Sequence, residues 1–302
     1  MNPSVEEIFA EEKMMAHSWK DAWLVAVSTL QSLALIGMYM FFESDALLAT
    51  IALSTLSVFL MCTNFQCVAH NFIHRPFFSH EAGNAVFAMW NTILIGLPQT
   101  IYKYHHLNHH RYNNDYQNPE GTTDDYSSIF RFSKHAQIPE SSILYSFLGP
   151  FRTDIGLLYR NGKERGQGPQ ILAETAIYLI LLLAITVLSP RFVFLCYLPT
   201  WYLGQVAAYF ENYFEHYGAT PGNRKTDSVS CYNRIYNLIW FNNGYHQEHH
   251  YRPQVHWSEI TSITAELQSE PNRTIVDYAH WFNWPILEAL NSRKANDSQP
   301  IV

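Results

Sequence analysis

Fifteen histidines stand in this chain of 302 residues, and most of them are bunched. Imidazole is the commonest metal ligand among side chains and the one that titrates nearest neutrality. A histidine kept for packing occurs singly, so the bunching points to metal or proton chemistry. His70 and His74 are four residues apart. His106, His109 and His110 follow the spacing i, i+3, i+4, and His246, His249 and His250 repeat it. On a helix each set lies on one face, where its rings can converge. A fourth element, Asn212-Tyr-Phe-Glu-His216-Tyr-Gly, sets Asn212 and His216 one turn apart.

Two, three, one and three imidazoles make nine. A zinc ion takes three or four protein ligands, so nine can fill the shells of two metals and leave a position for oxygen. Imidazole suits iron, copper, nickel and zinc alike, so ligand type alone does not name the metal. His105 sits about 100° round a helix from His106 and is read as donating to a neighbour or facing water. Pairing His105 with His109 is the alternative. Glu211, Glu215 and Glu248 lie within the boxes, Asp115 follows the second, and each could orient an imidazole N–H. His17, His80, His135, His256 and His280 are isolated and read as structural or exposed. No H-E-x-x-H helix is present to supply the glutamate of a zinc hydrolase.

Elements must bring these boxes together. Four stretches reach the roughly 20 apolar residues that a helix needs to cross a bilayer: about 22–42, 46–67, 171–188 and 192–210. The link after the first carries Glu43 and Asp45 but no Lys or Arg. The link between the third and fourth is Ser189-Pro190-Arg191, so only one of the 19 Lys and Arg residues lies in these two links. The positive-inside rule then places both termini and the segment from about Val68 to Gln170 in the cytoplasm. Asn84 to Tyr104 is apolar but interrupted by Asn91, Gly96 and Pro98, and is read as an interfacial or re-entrant helix. A crossing there would part the boxes by the bilayer thickness. With four crossings, all four elements fall on one face. The expected fold is therefore an all-α integral membrane protein, with one domain over residues 1–302 and a cytoplasmic helical cap that holds the site.

Net charge is −7 with a pI near 6.1, and no basic aromatic stripe occurs, so a nucleic-acid role has no support. Cys62, Cys67, Cys196 and Cys231 form no C-x-x-C pair, which argues against a structural zinc site or disulfide framework. Met1 to Lys20 is acidic and polar, unlike a cleavable signal peptide. The tail beyond Ser292 reads as frayed. Arg152, Arg160, Lys163 and Arg165 could meet an acidic head group, although topology explains a basic cytoplasmic loop equally well. A metal transporter would hold its ligands near the bilayer midplane, whereas these boxes lie at or beyond the span ends.

Taken together the boxes resemble those of the membrane fatty acid desaturase and hydroxylase superfamily, over about His70 to Pro253. Gly244-Tyr-His246-Gln-Glu-His249-His250 is similar to the third box of acyl desaturases. Asn212-x-x-x-His216 resembles the desaturase pattern in which Asn reaches one metal through water, and the segment to Gly218 also resembles membrane alkane hydroxylases. Arg75-Pro76 after the first box departs from the small-residue continuation of desaturases. The resemblance implies two Fe2+ ions held by His70, His74, His106, His109, His110, His216, His246, His249 and His250, with Asn212 acting through water. It also implies O2 as co-substrate and a lipid or fatty acyl substrate. No cytochrome b5-like heme segment is fused within these residues, so a separate ferredoxin, rubredoxin or cytochrome b5-type protein is expected to bring electrons. The expected activity is desaturation, with hydroxylation or alkene-forming decarboxylation as alternatives.

Overall fold

The structure is a computed structural model that describes residues 14–276. His280 and the tail beyond Ser292 lie outside the described residues. The chain is mostly helical. Helix α1 is Asp21–Glu43, α2 is Leu47–His74, α3 is Glu81–Ile95 and α4 is Gln99–Tyr112. After a long irregular loop come α5 (Ser142–Arg152), α6 (Ile155–Glu164) and α7 (Gly168–Leu188). A short turn Pro190–Phe192 and a π-wound segment Val193–Tyr197 lead into α8 (Leu198–Phe214). Helices α9 (Arg234–Ile239), α10 (His246–Tyr251) and α11 (Thr264–Leu267) complete the helical set among the described residues. Strands β1 (Val229–Cys231) and β2 (Thr274–Val276) pair in parallel, an addition to the all-α expectation. Their three-residue length leaves no hydrophobic alternation from which a strand could be read.

Three helices are long and apolar enough to cross a membrane by length and composition: α1, α2 and α7. At 1.5 Å per residue even the 21 residues of α7 reach about 32 Å. Only 11% of its most apolar window is buried in the protein, and Leu179, Ile180, Leu183, Val187 and Leu188 face outward. Such a surface would aggregate in water and is ordinary against lipid. The fourth expected span, about 192–210, falls on the π-wound segment and most of α8, where Thr200, Tyr202, Gly204 and Gln205 dilute the apolar run. It is not among the three.

Helix α2 continues for seven residues past the span expected to end at about Cys67, as a first box on a continuing helix requires, and carries His70 and His74 on its last turn. Residues Asn64–Ala69 are wound as a π-helix. The segment Asn84 to Tyr104 is two helices. Gly96, at φ +67°, caps α3 in the left-handed region and Pro98 precedes α4. Any side chain at Gly96 would also strike Trp201, since a Cβ there lies 2.1 Å from the indole Nε1. The start of α4 is held from α7, where the buried Glu174 carboxylate accepts the Thr100 N–H at 2.9 Å and its hydroxyl at 2.7 Å.

Replacing Glu174 by Ala orphans a buried backbone donor at the first turn of α4. A loss of about 1–3 kcal/mol is expected, read as a lowered denaturation midpoint in detergent. An unchanged midpoint would show that Thr100 needs no such cap.

Candidate metal centre

Four elements deliver the nine imidazoles to one place. The last turn of α2 carries His70 and His74, α4 carries His106, His109 and His110, α10 carries His246, His249 and His250, and His216 lies two residues beyond α8. They gather into two groups. His70, His74, His106, His110 and His249 form one, and His109, His216, His246 and His250 the other. Within each group the ligand atoms lie within 4.8 Å of one another. In the first, His70 Nε2 is 2.6 Å from His249 Nε2, His74 Nε2 is 2.8 Å from His106 Nε2, and His110 Nε2 is 3.1 Å from both His74 and His249. In the second, His246 and His216 approach by Nε2 at 3.2 Å.

Several of these nitrogens have nothing else to bond. Nε2 of His109 and both ring nitrogens of His250 are buried with no hydrogen-bond partner among the described residues. A buried unpaired polar atom is costly and calls for a bound group. Burial, with the mutual repulsion of neighbouring imidazoles, holds His106, His110, His246, His249 and His250 well below the usual 6.5. That favours the neutral ring, the form that ligates metal. Converging neutral nitrogens with unsatisfied lone pairs fit two cations, and nine ligands exceed the shell of a single zinc.

The outer nitrogens fix the rings. His109 Nδ1 lies 2.8 Å from Asp125 Oδ2 and 3.0 Å from Ser127 Oγ, and His216 Nδ1 lies 3.2 Å from the Asp227 carbonyl. Burial alone would raise Asp125, but His109 and the N–H groups of Asn114 and Ser127 outweigh it and hold the carboxyl below the usual range. A carboxylate behind a ligating imidazole sets its tautomer and direction. Sequence spacing missed Asp125, because it lies 16 residues after His109 and returns through a loop, so no local pattern marks the contact.

Of the four acidic residues singled out for this role, Glu215 stands nearest to it, 3.6 Å from His246 Nδ1, while accepting from Asn243 at 2.7 Å. The other three meet different groups. Glu248 is held by Ser230, Tyr232, Thr264 and Arg273, on the side of α10 that packs toward β1, and not by an imidazole. Glu211 accepts from the Tyr236 phenol. Asp115 accepts the backbone N–H groups of Asp124 and Asp125, so it acts one step away by shaping the Asp125 loop. His105 belongs to neither group. It stacks on Tyr102 with centroids 6.5 Å apart, and burial lowers it to about 4. The Asn212 amide donates to Tyr145 Oη at 2.7 Å, one turn before His216. Among the isolated histidines, His256 meets Asp21 at 2.9 Å and His17 meets Arg75 at 3.1 Å. Arg152 is committed to Glu140 by two bonds of 2.6 and 3.0 Å, which removes it as a free head-group contact.

A cavity opens onto both groups, at His70, His106, His109 and His246. Trp201, Gln205, Ala208, Tyr209 and Asn212 line it from one face of α8 at i, i+4, i+7, i+8 and i+11. That stripe is about 16 Å long. Phe65, Leu97, Pro150 and Ile155 add apolar wall, and Gln66, His105, Ser127, Thr153 and Glu215 add polar groups.

The fatty acid desaturase family matches residues 45–282. A sphingolipid delta(4)-desaturase, DES1 of Mus musculus, is 26% identical over 226 residues, a match that covers 71% of this chain. The chain spans 63% of that relative's length. No solved structure matches.

The buried imidazoles carry a pH signature. Unfolding lets them take up protons at 6.5 that the native rings refuse, so the unfolded state binds more protons below that pH. Metal-free protein is therefore expected to be most stable above 6.5 and to lose stability steadily below it. Melting temperature scanned from about pH 8 to about pH 5 reads this directly. A flat profile would contradict neutral, buried rings.

Proposed function

The chain belongs to the fatty acid desaturase family, and from that premise we propose that it is an integral-membrane, O2-dependent diiron oxidase that desaturates a lipid-borne hydrocarbon chain. The observation that carries this is the pair of imidazole groups facing one largely apolar cavity. The nine histidines are the ligands, five to one iron and four to the other, and Asn212 reaches the second through water. Residues 1–302 form one membrane domain that crosses the bilayer four times, the helix ending in α8 being the fourth. Both termini and the metal centre lie on the cytoplasmic side, which the scarcity of Lys and Arg in the two short links supports.

Two irons held there by the histidines would activate O2 for removal of hydrogen from an unactivated methylene. Overall, O2 would take two hydrogens with their two electrons from the substrate's two C–H bonds, and two electrons from an external donor protein with two protons from solvent, giving an alkene and two waters. The protein's own part is positional. Burial keeps the rings neutral, Asp125 and the Asp227 carbonyl aim His109 and His216, and the walls exclude water while the α8 stripe aligns the chain. Placement to within a fraction of an ångström selects which carbon loses hydrogen. The relative's name makes a sphingolipid chain the first substrate to assay beside fatty acyl lipids. A hydroxylase of the same superfamily needs the same ligands, and the Asn212 to Gly218 segment favours that reading; an alkene-forming decarboxylase is the third outcome.

Purified protein in lipid, supplied with O2 and a ferredoxin or cytochrome b5 system, is expected to return product two hydrogens lighter than substrate. Hydroxylated product alone would overturn desaturation. His249→Ala is expected to lower turnover at least about 100-fold, the scale of losses at metal sites. Ala208→Leu adds bulk at the cavity wall, and is expected to raise KM or shift the oxidised position with metal content intact. Unchanged products and kinetics would place the substrate elsewhere.

A further inference from the structure

Four side-chain amides form a buried relay between four helices. Gln31 on α1, Asn64 on α2, Asn91 on α3 and Gln99 at the head of α4 are each at most 2% exposed. Asn64 Nδ2 donates to Gln31 Oε1 at 2.8 Å and to Asn91 Oδ1 at 2.7 Å. Asn91 Nδ2 donates to Gln99 Oε1 at 2.7 Å, and Gln99 Nε2 donates to the Ala69 carbonyl at 3.3 Å. Gln31 Nε2 turns back to the Leu94 carbonyl at 3.0 Å, and the Gln99 N–H meets Thr92 Oγ1 at 2.9 Å. Leucine would fill these positions in a lipid-facing bundle at no polar cost. Amides there fix the axial register of the helices they join, which apolar packing leaves loose.

The relay touches two metal-ligating elements, α2 at Asn64 and Ala69 and α4 at Gln99. Asn64 opens the π-wound segment, and Ala69 closes it one residue before His70. Winding changes which way α2 faces, so the bond at Ala69 sets the direction of His70 and His74. Gln99 starts the helix that bears His106 and His110. The group of five contains both first-box histidines and meets the second box through His74 to His106 and His110. The group of four has no first-box member, and its single second-box residue, His109, is separately held by Asp125 and Ser127.

We propose that Gln31, Asn64, Asn91 and Gln99 are positioning residues for one metal only, the one in the five-histidine group. The inference rests on the two-iron reading above and deepens it. Metal content of protein purified without loss of the monodisperse fold is the readout. Wild type is expected to hold two irons per chain, Asn64→Leu one, His216→Ala one, and the double variant none, because each lesion empties a different group. Gln31→Leu, on a helix that bears no histidine, gives the same selective loss should Asn64→Leu fail to fold, and Asn64→Gln is expected to recover part of the second iron. Two irons in the relay variants, or none, would overturn the proposal. A double variant that still holds one iron would also overturn it, since both lesions would then have emptied the same group. Wild type with fewer than two irons would instead overturn the diiron reading itself.

Discussion

Nine imidazoles converge in two adjoining groups, most of them buried, and the rest of the molecule is organised around that arrangement. Without a cation the convergence is repulsive. His70 Nε2 and His249 Nε2 stand 2.6 Å apart on elements 179 residues distant in sequence. Such a cluster persists only where its scaffold over-determines it. The scaffold here includes the amide relay across α1 to α4, the Glu174 carboxylate at the head of α4, and the ion pair that seats α10. In that pair Arg273 meets Glu248 at 2.8 Å with both side chains buried. A buried pair of this kind is weak evidence for stability but strong evidence for a fixed arrangement.

The site's asymmetry follows from how the elements enter it. The five-histidine group joins three boxes from three helices, two of which are anchored within the membrane-crossing bundle. The four-histidine group is assembled mostly from elements that follow α4, with His216 and α10 supplying three of its members. His74 and His249 are partly exposed, whereas all four members of the second group are buried. The cavity touches both groups and then follows α8 away from them, past Asn212, Tyr209, Ala208, Gln205 and Trp201.

Legibility in the sequence followed the range of the interaction. Helical spacing marked the three boxes because i, i+3 and i+4 contacts are local, and the same nine imidazoles are the ones gathered in space. Gly96 and Pro98 marked the break between α3 and α4 for the same reason. The acidic partners were misjudged because nearness in sequence stood in for nearness in space. Glu248 lies inside the third box yet points to Arg273, while Asp125 crosses a loop to reach His109. The π-wound turn in α2 left no sign in composition, and it carries the helix past the expected span to His74. Glutamine and asparagine scattered through apolar helices showed no pattern until the helices were packed.

X-ray absorption at the iron edge, on protein purified and handled without oxygen, tests the central claim most directly. Two irons per chain in a shell dominated by imidazole nitrogen, with an iron–iron vector, are expected. A single metal per chain, or zinc in place of iron after supplementation with iron during expression, would contradict it.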